Sequence, residues 1–188
     1  LTFFVGPFGE DTPEAGSVNT PWRTIAYAIS QVDPSPSFPF NIIVLQGLYV
    51  EDITLKPSLY LSGAQGNDVV IQGQISGAEQ SGLINLTITP LTNGTDEILL
   101  DMTSAAMNIR NVTFEGTTTR ATIGILVVGD EPGDSVIDTC TFTSLNTGID
   151  IWDAIPTIRE CQFNDIAEVG IHIHEDAKKT RRRHQYLG

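Results

Sequence analysis

The chain has 188 residues, 40% of them hydrophobic and 18% charged, a balance typical of one folded domain rather than of a disordered chain. Its formal net charge of −13 repels nucleic acid and anionic membranes, so neither is expected as a partner. No apolar run reaches the roughly 18 residues that a membrane-spanning helix needs.

One helix is predicted near the N-terminus, over residues 20–30. Thr20 suits the N-cap and Pro21 suits the first helical position. The apolar residues of this segment fall on one face of the predicted helix, and they are Trp22, Ile25, Ala26 and Ile29. We expect residues 1–40 to form an N-terminal strand and this helix, which caps the apolar interior of the next segment of the chain.

The remaining chain predicts short strands separated by turns. Strand-like segments occupy 41–55, 58–64, 69–75 and 83–88. From residue 109 a phrase recurs three times, Ile-x-x-(Val/Cys)-x-Phe followed by Gly-Ile-x-(Ile/Val), and its copies begin at Ile109, Ile137 and Ile158. Spacings of 28 and 21 residues without a helical pattern predict a solenoid of about five or six coils over residues 41–176. Each coil then buries its apolar face by stacking on its neighbours.

Each phrase requires a corner. Side chains alternate along a strand, so Ile137 and Phe142 cannot both face inward on one straight strand. We therefore predict bends at Asn111, Thr139 and Glu160, which restore the inward orientation of the residues after the corner.

The two cysteines, Cys140 and Cys161, occupy equivalent positions in successive phrases. Their Cβ vectors would be parallel, which is poor geometry for a disulfide, so we expect two stacked free thiols.

The densest group of titratable and aromatic residues lies on the last two glycine-initiated strands. The isoleucines of these strands point inward, so Asp150 and Trp152 in one coil and His172 and His174 in the next point outward. We expect Asp150 beside His172, and Trp152 beside His174.

This outer face is either an ordinary polar surface or a site with one of several chemical roles. Trp152, His172 and His174 would bind a substrate sugar, the indole contacting its ring and the imidazoles its hydroxyl groups. Alternatively, the two histidines with Asp150 or Glu175 would hold a transition metal. We expect no cofactor to be required, and Ca²⁺ bound by the acids of segment 129–134 is the alternative.

Carboxylates on or beside these strands are the candidate catalytic residues. Two carboxylates that flank a glycosidic bond act as general acid and base, and their separation decides inversion or retention. The pairs that the spacing suggests are Asp150 with Asp153, and Asp153 with Glu175.

Residues 1–176 resemble the right-handed parallel β-helix, or pectate-lyase-like, superfamily. The matching segments are FFVGP at 3–7, SVNTPWRTIAYAI at 17–29 and IVLQGLYVEDI at 43–53, followed by the repeated phrases. The resemblance implies an all-β, right-handed parallel β-helix solenoid with an N-terminal capping α-helix. The superfamily includes lyases, hydrolases, epimerases, adhesins and phage spikes, so it implies a fold more narrowly than an activity.

The lyases of this superfamily use a basic Arg or Lys together with Ca²⁺. Here Arg110 and Arg159 occupy the same phrase position, next to the corner and away from the strands that carry the Asp/His face. The sequence therefore does not favour a pectate-lyase mechanism, and an enzyme with this sequence would be a polysaccharide hydrolase or a lyase of another mechanism.

The sequence supports two functional hypotheses. The leading one is a secreted or cell-surface protein that binds polysaccharide along this outer face, with cleavage as its extension. The alternative is a non-enzymatic structural, adhesin or filament-forming surface protein. It would form a homo-oligomer or filament through the last coil, for which no second cap is predicted, or through the basic tail at 177–188.

Overall fold

The computed structural model describes residues 1–64, 68–91, 97–117, 122–129 and 135–174. They form an all-β parallel solenoid of about five turns, with fifteen strands and one short helix. The strands are β1 (Thr2–Val5), β2 (Phe40–Val44), β3 (Gly47–Val50), β4 (Ile53–Thr54), β5 (Leu59–Gly63), β6 (Val69–Gln72), β7 (Ile75–Ser76), β8 (Ser81–Thr89), β9 (Glu97–Thr103), β10 (Met107–Glu115), β11 (Thr122–Val128), β12 (Val136–Asp138), β13 (Thr141–Trp152), β14 (Thr157–Arg159) and β15 (Gln162–His174), and the helix is α1 (Ile25–Gln31).

Every pairing between these strands is parallel, and the strand order is β1-β2-β5-β8-β10-β13-β11-β9-β7-β4 along the main path. Strand β15 adds to β13, and β12 and β14 continue the ladder from β10. The predicted parallel β-helix is confirmed.

The interior consists of ladders in which equivalent side chains of successive coils stack. The phenylalanines that end the repeated phrase show this best. The ring centroids of Phe114 and Phe142 lie 5.0 Å apart at an interplanar angle of 6°, and those of Phe142 and Phe163 lie 4.9 Å apart at 7°. Burial of one such side chain contributes about 1.5–3 kcal/mol, so the stack helps to hold the coils in register.

The predicted corners are present. The φ angles of Asn111, Thr139 and Glu160 are 51°, 55° and 53°, which lie in the left-handed region. A residue in this conformation bends the strand and changes which of the following side chains point inward. Asn85 has φ 55°, and the side-chain amide of Asn111 donates to Asn85 Oδ1 at 2.8 Å. Asparagine tolerates this conformation better than most residues, and here its amides also link two coils.

The helix is shorter than predicted, because α1 begins at Ile25 rather than near Pro21. The backbone of Trp22 pairs with β1 instead: its N–H donates to Phe4 O at 2.9 Å, and its carbonyl accepts from Gly6 N at 2.8 Å. Thr24 is the N-cap in place of Thr20. Tertiary pairing with a strand therefore outweighs the helical tendency of these residues.

The helix packs on the first coils through a stripe that begins later than predicted. Ile25, Ala28 and Ile29 are buried in the common core, whereas Ala26 is exposed. Glu51 fixes the start of the helix, because its two carboxylate oxygens accept from the backbone N–H groups of Ile25 and Ala26 at 2.9 and 2.8 Å. A carboxylate at this position satisfies N–H groups that have no partner within the helix.

The two cysteines are free thiols, as predicted. Cys140 is buried and Cys161, in the last coil, is partly exposed. Interaction with the Cys140 thiol lowers the pKa of Cys161 to about 7, and the same interaction, with burial, raises the pKa of Cys140. Cys161 is therefore the first of the two thiols to lose its proton as the pH rises.

The last described coil exposes residues that earlier coils bury. Ile171 is 37% exposed and Ile173 is 64% exposed, although both lie at inward positions. Within the described residues β15 pairs with β13 alone. The basic tail at 177–188 lies outside the described residues, so its role stays a prediction. The one described helix has seven residues, which is too short to cross a membrane.

Substitution of Gly148 by alanine should destabilise the coil stack. A Cβ at this position would lie 2.4 Å from the carbonyl oxygen of Gly170 and 2.7 Å from the ring of Phe163. We expect Gly148→Ala to lower the free energy of unfolding by about 1–3 kcal/mol, measured by urea denaturation. The matched control is Gly129→Ala, because a Cβ at Gly129 meets nothing within 4 Å. Equal midpoints for both variants would contradict the close stacking of the glycines.

Alkylation by iodoacetamide should reveal the unequal thiols. We expect Cys161 to react first, with a rate that rises as pH passes through about 7 because the thiolate is the nucleophile. Cys140→Ala removes the neighbouring thiol that lowers the pKa of Cys161, so the midpoint for Cys161 should move to higher pH. Cys161→Ser should abolish the fast phase. An unchanged midpoint in Cys140→Ala would show that the two thiols do not interact.

Candidate functional site

Strands β13 and β15 bring the predicted outer-face residues together. Asp150 pairs in register with His172, and Trp152 pairs with His174, as the sequence predicted. The intervening Ile151 is buried, so its neighbours along the strand point away from the core.

A bulge in β15 is necessary for this pairing. Leu145 pairs with Ile166 and Thr147 pairs with Val169, so β15 advances by one residue more than β13 between the two pairs. Because a shift of one residue exchanges the two faces of a strand, β15 without the extra residue would turn His172 toward the core.

The carboxylate of Asp150 is the centre of the cluster. Its Oδ1 atom lies 2.8 Å from His174 Nε2 and 3.4 Å from His172 Nδ1. Its Oδ2 atom accepts a hydrogen bond of 2.9 Å from the indole N–H of Trp152. Side chains from two coils thus converge on one carboxylate.

The three rings of the cluster are packed against one another. The ring centroids of Trp152 and His174 lie 3.3 Å apart at an interplanar angle of 14°. Those of His172 and His174 lie 4.0 Å apart at 47°. Trp152 is 43% exposed, and the side chains of His172 and His174 are 52% and 24% exposed. The rings therefore form a fixed ridge whose outer edge meets solvent.

Asp150 is more covered than an outward position suggests, since it is only 9% exposed. The rings of the following coil and of Trp152 lie across it. A carboxylate surrounded by donors is well suited to accept hydrogen bonds or to bind a cation, and less suited to protonate a leaving group. Its catalytic role stays a prediction.

The other two predicted carboxylates are placed differently. Asp153 directly follows β13 and has φ 51°, so it is a corner residue of the coil. Glu175 lies outside the described residues, and the pairing of Asp153 with Glu175 stays a prediction. The acids expected to offer a Ca²⁺ site, at 130–134, also lie outside the described residues.

The face continues into earlier coils with a different character. Leu126 pairs in register with Asp150, and Val128 pairs with Trp152. Asp101 pairs with Leu126 one coil further on, and its Oδ1 atom accepts from the backbone and hydroxyl of Thr103. The ring cluster is thus bordered on this side by apolar side chains.

A second charged cluster was not anticipated. Asp138, only 7% exposed, lies between two arginines of neighbouring coils, with Arg159 Nη2 at 3.0 Å and Arg110 Nε at 3.9 Å from its Oδ2 atom. The hydrogen bond from Arg159 holds the pKa of Asp138 below its usual range. The signal was present in the sequence, because all three residues occupy the same phrase position.

A cavity of about 380 Å³ within the described residues lies elsewhere, in the N-terminal segment. Its lining residues are Phe8, Gly9, Glu10, Thr12, Glu14, Ala15, Asn19, Thr20 and Pro21. None of them belongs to the cluster around Asp150.

Comparison with known proteins finds a structural likeness and no sequence match. No protein-family model and no curated protein sequence matches this chain. A solved structure named rhamnogalacturonan lyase is similar with a TM-score of 0.47 and 7% sequence identity. The match covers 92% of this chain and 66% of that chain, so the chain spans just under two thirds of the length of the lyase.

Proposed function

We propose that this is a secreted or cell-surface β-helix protein that binds polysaccharide along the outer face of β13 and β15. The proposal rests on the half-exposed indole of Trp152, which two neighbouring side chains hold. It is stacked on His174 and hydrogen-bonded to Asp150, so little side-chain entropy remains to be lost on binding.

The exposed groups have the mixed character that a sugar ring requires. An indole offers an apolar surface, and imidazoles offer hydrogen-bond donors and acceptors to hydroxyl groups. The His174 ring covers one face of the indole, so a sugar contacts the opposite face or the exposed edge. His172, whose side chain is 52% exposed, offers a further polar group on the same ridge.

The solenoid also suits a polymer more than a small molecule. Successive coils repeat at about 4.8 Å, so the outer face runs in a straight line past Leu126 and Asp101. The net charge of −13 disfavours a polyanion. We therefore propose a neutral polysaccharide as the ligand.

Binding is the core of this proposal, and cleavage is its extension. Cleavage would require Asp150 with Asp153, or Asp153 with Glu175, to act as acid and base. The donors around Asp150 favour a positioning role for its carboxylate. A reducing-end assay on the bound polysaccharide decides between binding alone and hydrolysis.

Trp152→Ala should weaken binding to neutral polysaccharides by about tenfold or more, since buried aromatic contacts dominate such interfaces. Affinity gel electrophoresis with a panel of neutral and uronic-acid polysaccharides measures the effect. The matched control is Phe38→Ala, which removes another aromatic side chain that is 72% exposed and lies far from β13 in sequence. Retardation of the wild type by no polysaccharide, or equal retardation of both variants, would refute the proposal.

A second candidate function is self-association through the last described coil. The exposed inward-facing Ile171 and Ile173 lie on β15, whose outer edge is unpaired within the described residues. Such an edge favours pairing with another strand, and a second copy of this chain supplies one.

Ile173→Lys should abolish this association, because a charge on an edge strand opposes pairing. Light scattering after size exclusion, over a concentration series, should show a mass that rises with concentration for the wild type and a constant mass for the variant. Val18→Lys is the control, since Val18 is 55% exposed and lies outside the strands. A wild type that stays monomeric throughout would remove this candidate.

A further inference from the structure

We propose that Asp150, His172 and His174 form a binding site for a divalent transition metal ion of the Zn²⁺ type. Each residue offers one ligand atom such that all three atoms lie within 4.8 Å of one another. Asp150 Oδ1 faces both His172 Nδ1 and His174 Nε2. The inference stands independently of polysaccharide binding.

The separations suit one ion between the three atoms. Zn²⁺ binds nitrogen and carboxylate oxygen at about 2.0–2.2 Å, so two ligands in tetrahedral geometry lie roughly 3.4 Å apart. The His172–Asp150 separation is 3.4 Å and the His174–Asp150 separation is 2.8 Å. An outward movement of the His174 ring by about half an ångström matches the second distance to the same geometry.

The chemical nature of the three ligands determines which metal ion the site prefers. Two imidazoles and one carboxylate form a set that binds Zn²⁺ and similar ions and leaves at least one coordination position open. Ca²⁺ takes six to eight oxygen ligands, and Mg²⁺ also prefers oxygen. This cluster presents one such oxygen toward the histidines, so it discriminates against both.

The surroundings hold the ligands in place. The indole N–H of Trp152 donates a hydrogen bond to Asp150 Oδ2, so Oδ1 stays directed at the histidines. The same indole stacks on His174 and fixes the orientation of its ring. Hydrogen bonds of this kind to ligating groups typically change metal affinity by about 10–100-fold.

A simple ion pair between Asp150 and one histidine explains less of this arrangement than a metal site does. One histidine is enough to give Asp150 Oδ1 a partner, yet nitrogens of both imidazoles approach that same oxygen from one strand. The carboxylate is almost fully buried, whereas the side chain of His172 is 52% exposed and leaves a path for an ion to enter. The net charge of −13 further raises the local concentration of cations.

The test is a competition titration of ZnCl₂ between the full chain, first freed of metal with EDTA, and a chromophoric chelator. We expect one Zn²⁺ per chain, with affinity reduced about tenfold or more by His172→Ala, His174→Ala or Asp150→Asn, and less by Trp152→Phe. Millimolar CaCl₂ should not compete. Titration with CoCl₂ provides a second signal, because the visible absorption of Co²⁺ changes when nitrogen ligands bind.

Two control variants separate this site from others. Asp101→Asn removes a carboxylate from the same outer column two coils away, and His184→Ala removes the third histidine of the chain. Both should bind Zn²⁺ like the wild type. His172→Ala removes a half-exposed side chain and should keep the wild-type circular dichroism and urea midpoint, so its loss of binding cannot be ascribed to unfolding.

Absence of stoichiometric Zn²⁺ binding, or binding that persists in all three ligand variants, would overturn the inference. So would loss of binding in His184→Ala with retention in His172→Ala. Polysaccharide binding measured in EDTA separates the two proposals: retardation without Zn²⁺ binding removes only the metal site, and Zn²⁺ binding without retardation removes only the polysaccharide proposal.

Discussion

In-register stacking of parallel coils is the constraint on which the rest of this structure depends. A parallel ladder places equivalent residues of neighbouring coils side by side, so a short-range pattern in the sequence becomes a column in space. Inward columns form the phenylalanine stack, and outward columns bring Arg110, Asp138 and Arg159 together. The cluster around Asp150 arises in the same way, from equivalent positions on β13 and β15.

Much of this arrangement could be predicted, because the repeated phrases show which positions of each strand face inward and which face outward. The phrase required corners at Asn111 and Thr139, and aligned glycines placed Asp150 beside His172. The isoleucine pattern predicts this pairing even though the spacing between the copies is not constant. The bulge in β15 adds one residue to this coil and so lengthens the spacing. The corner at Ser144, with φ 54°, left no comparable signal, since serine occurs at many exposed positions.

The remaining differences come from tertiary contacts that a linear pattern does not encode. Trp22 lies in a helical pattern, but its backbone pairs with β1. Asp150 lies at an outward position, but the flat rings of Trp152, His172 and His174 cover it. Ring stacking depends on side-chain rotamers, which alternation alone does not determine. The covering has a chemical consequence, because it makes Asp150 an acceptor held by several donors.

Nuclear Overhauser contacts between ring protons in solution test the central claim, that register assembles the cluster. In-register pairing of β13 and β15 predicts strong contacts between the Trp152 indole and the His174 imidazole, whose centroids are 3.3 Å apart, and between His172 and His174. Contacts from Trp152 to the side chain of Ile173 in place of His174 would contradict it. That result would mean that β15 is shifted by one residue and that the outer face carries no such cluster.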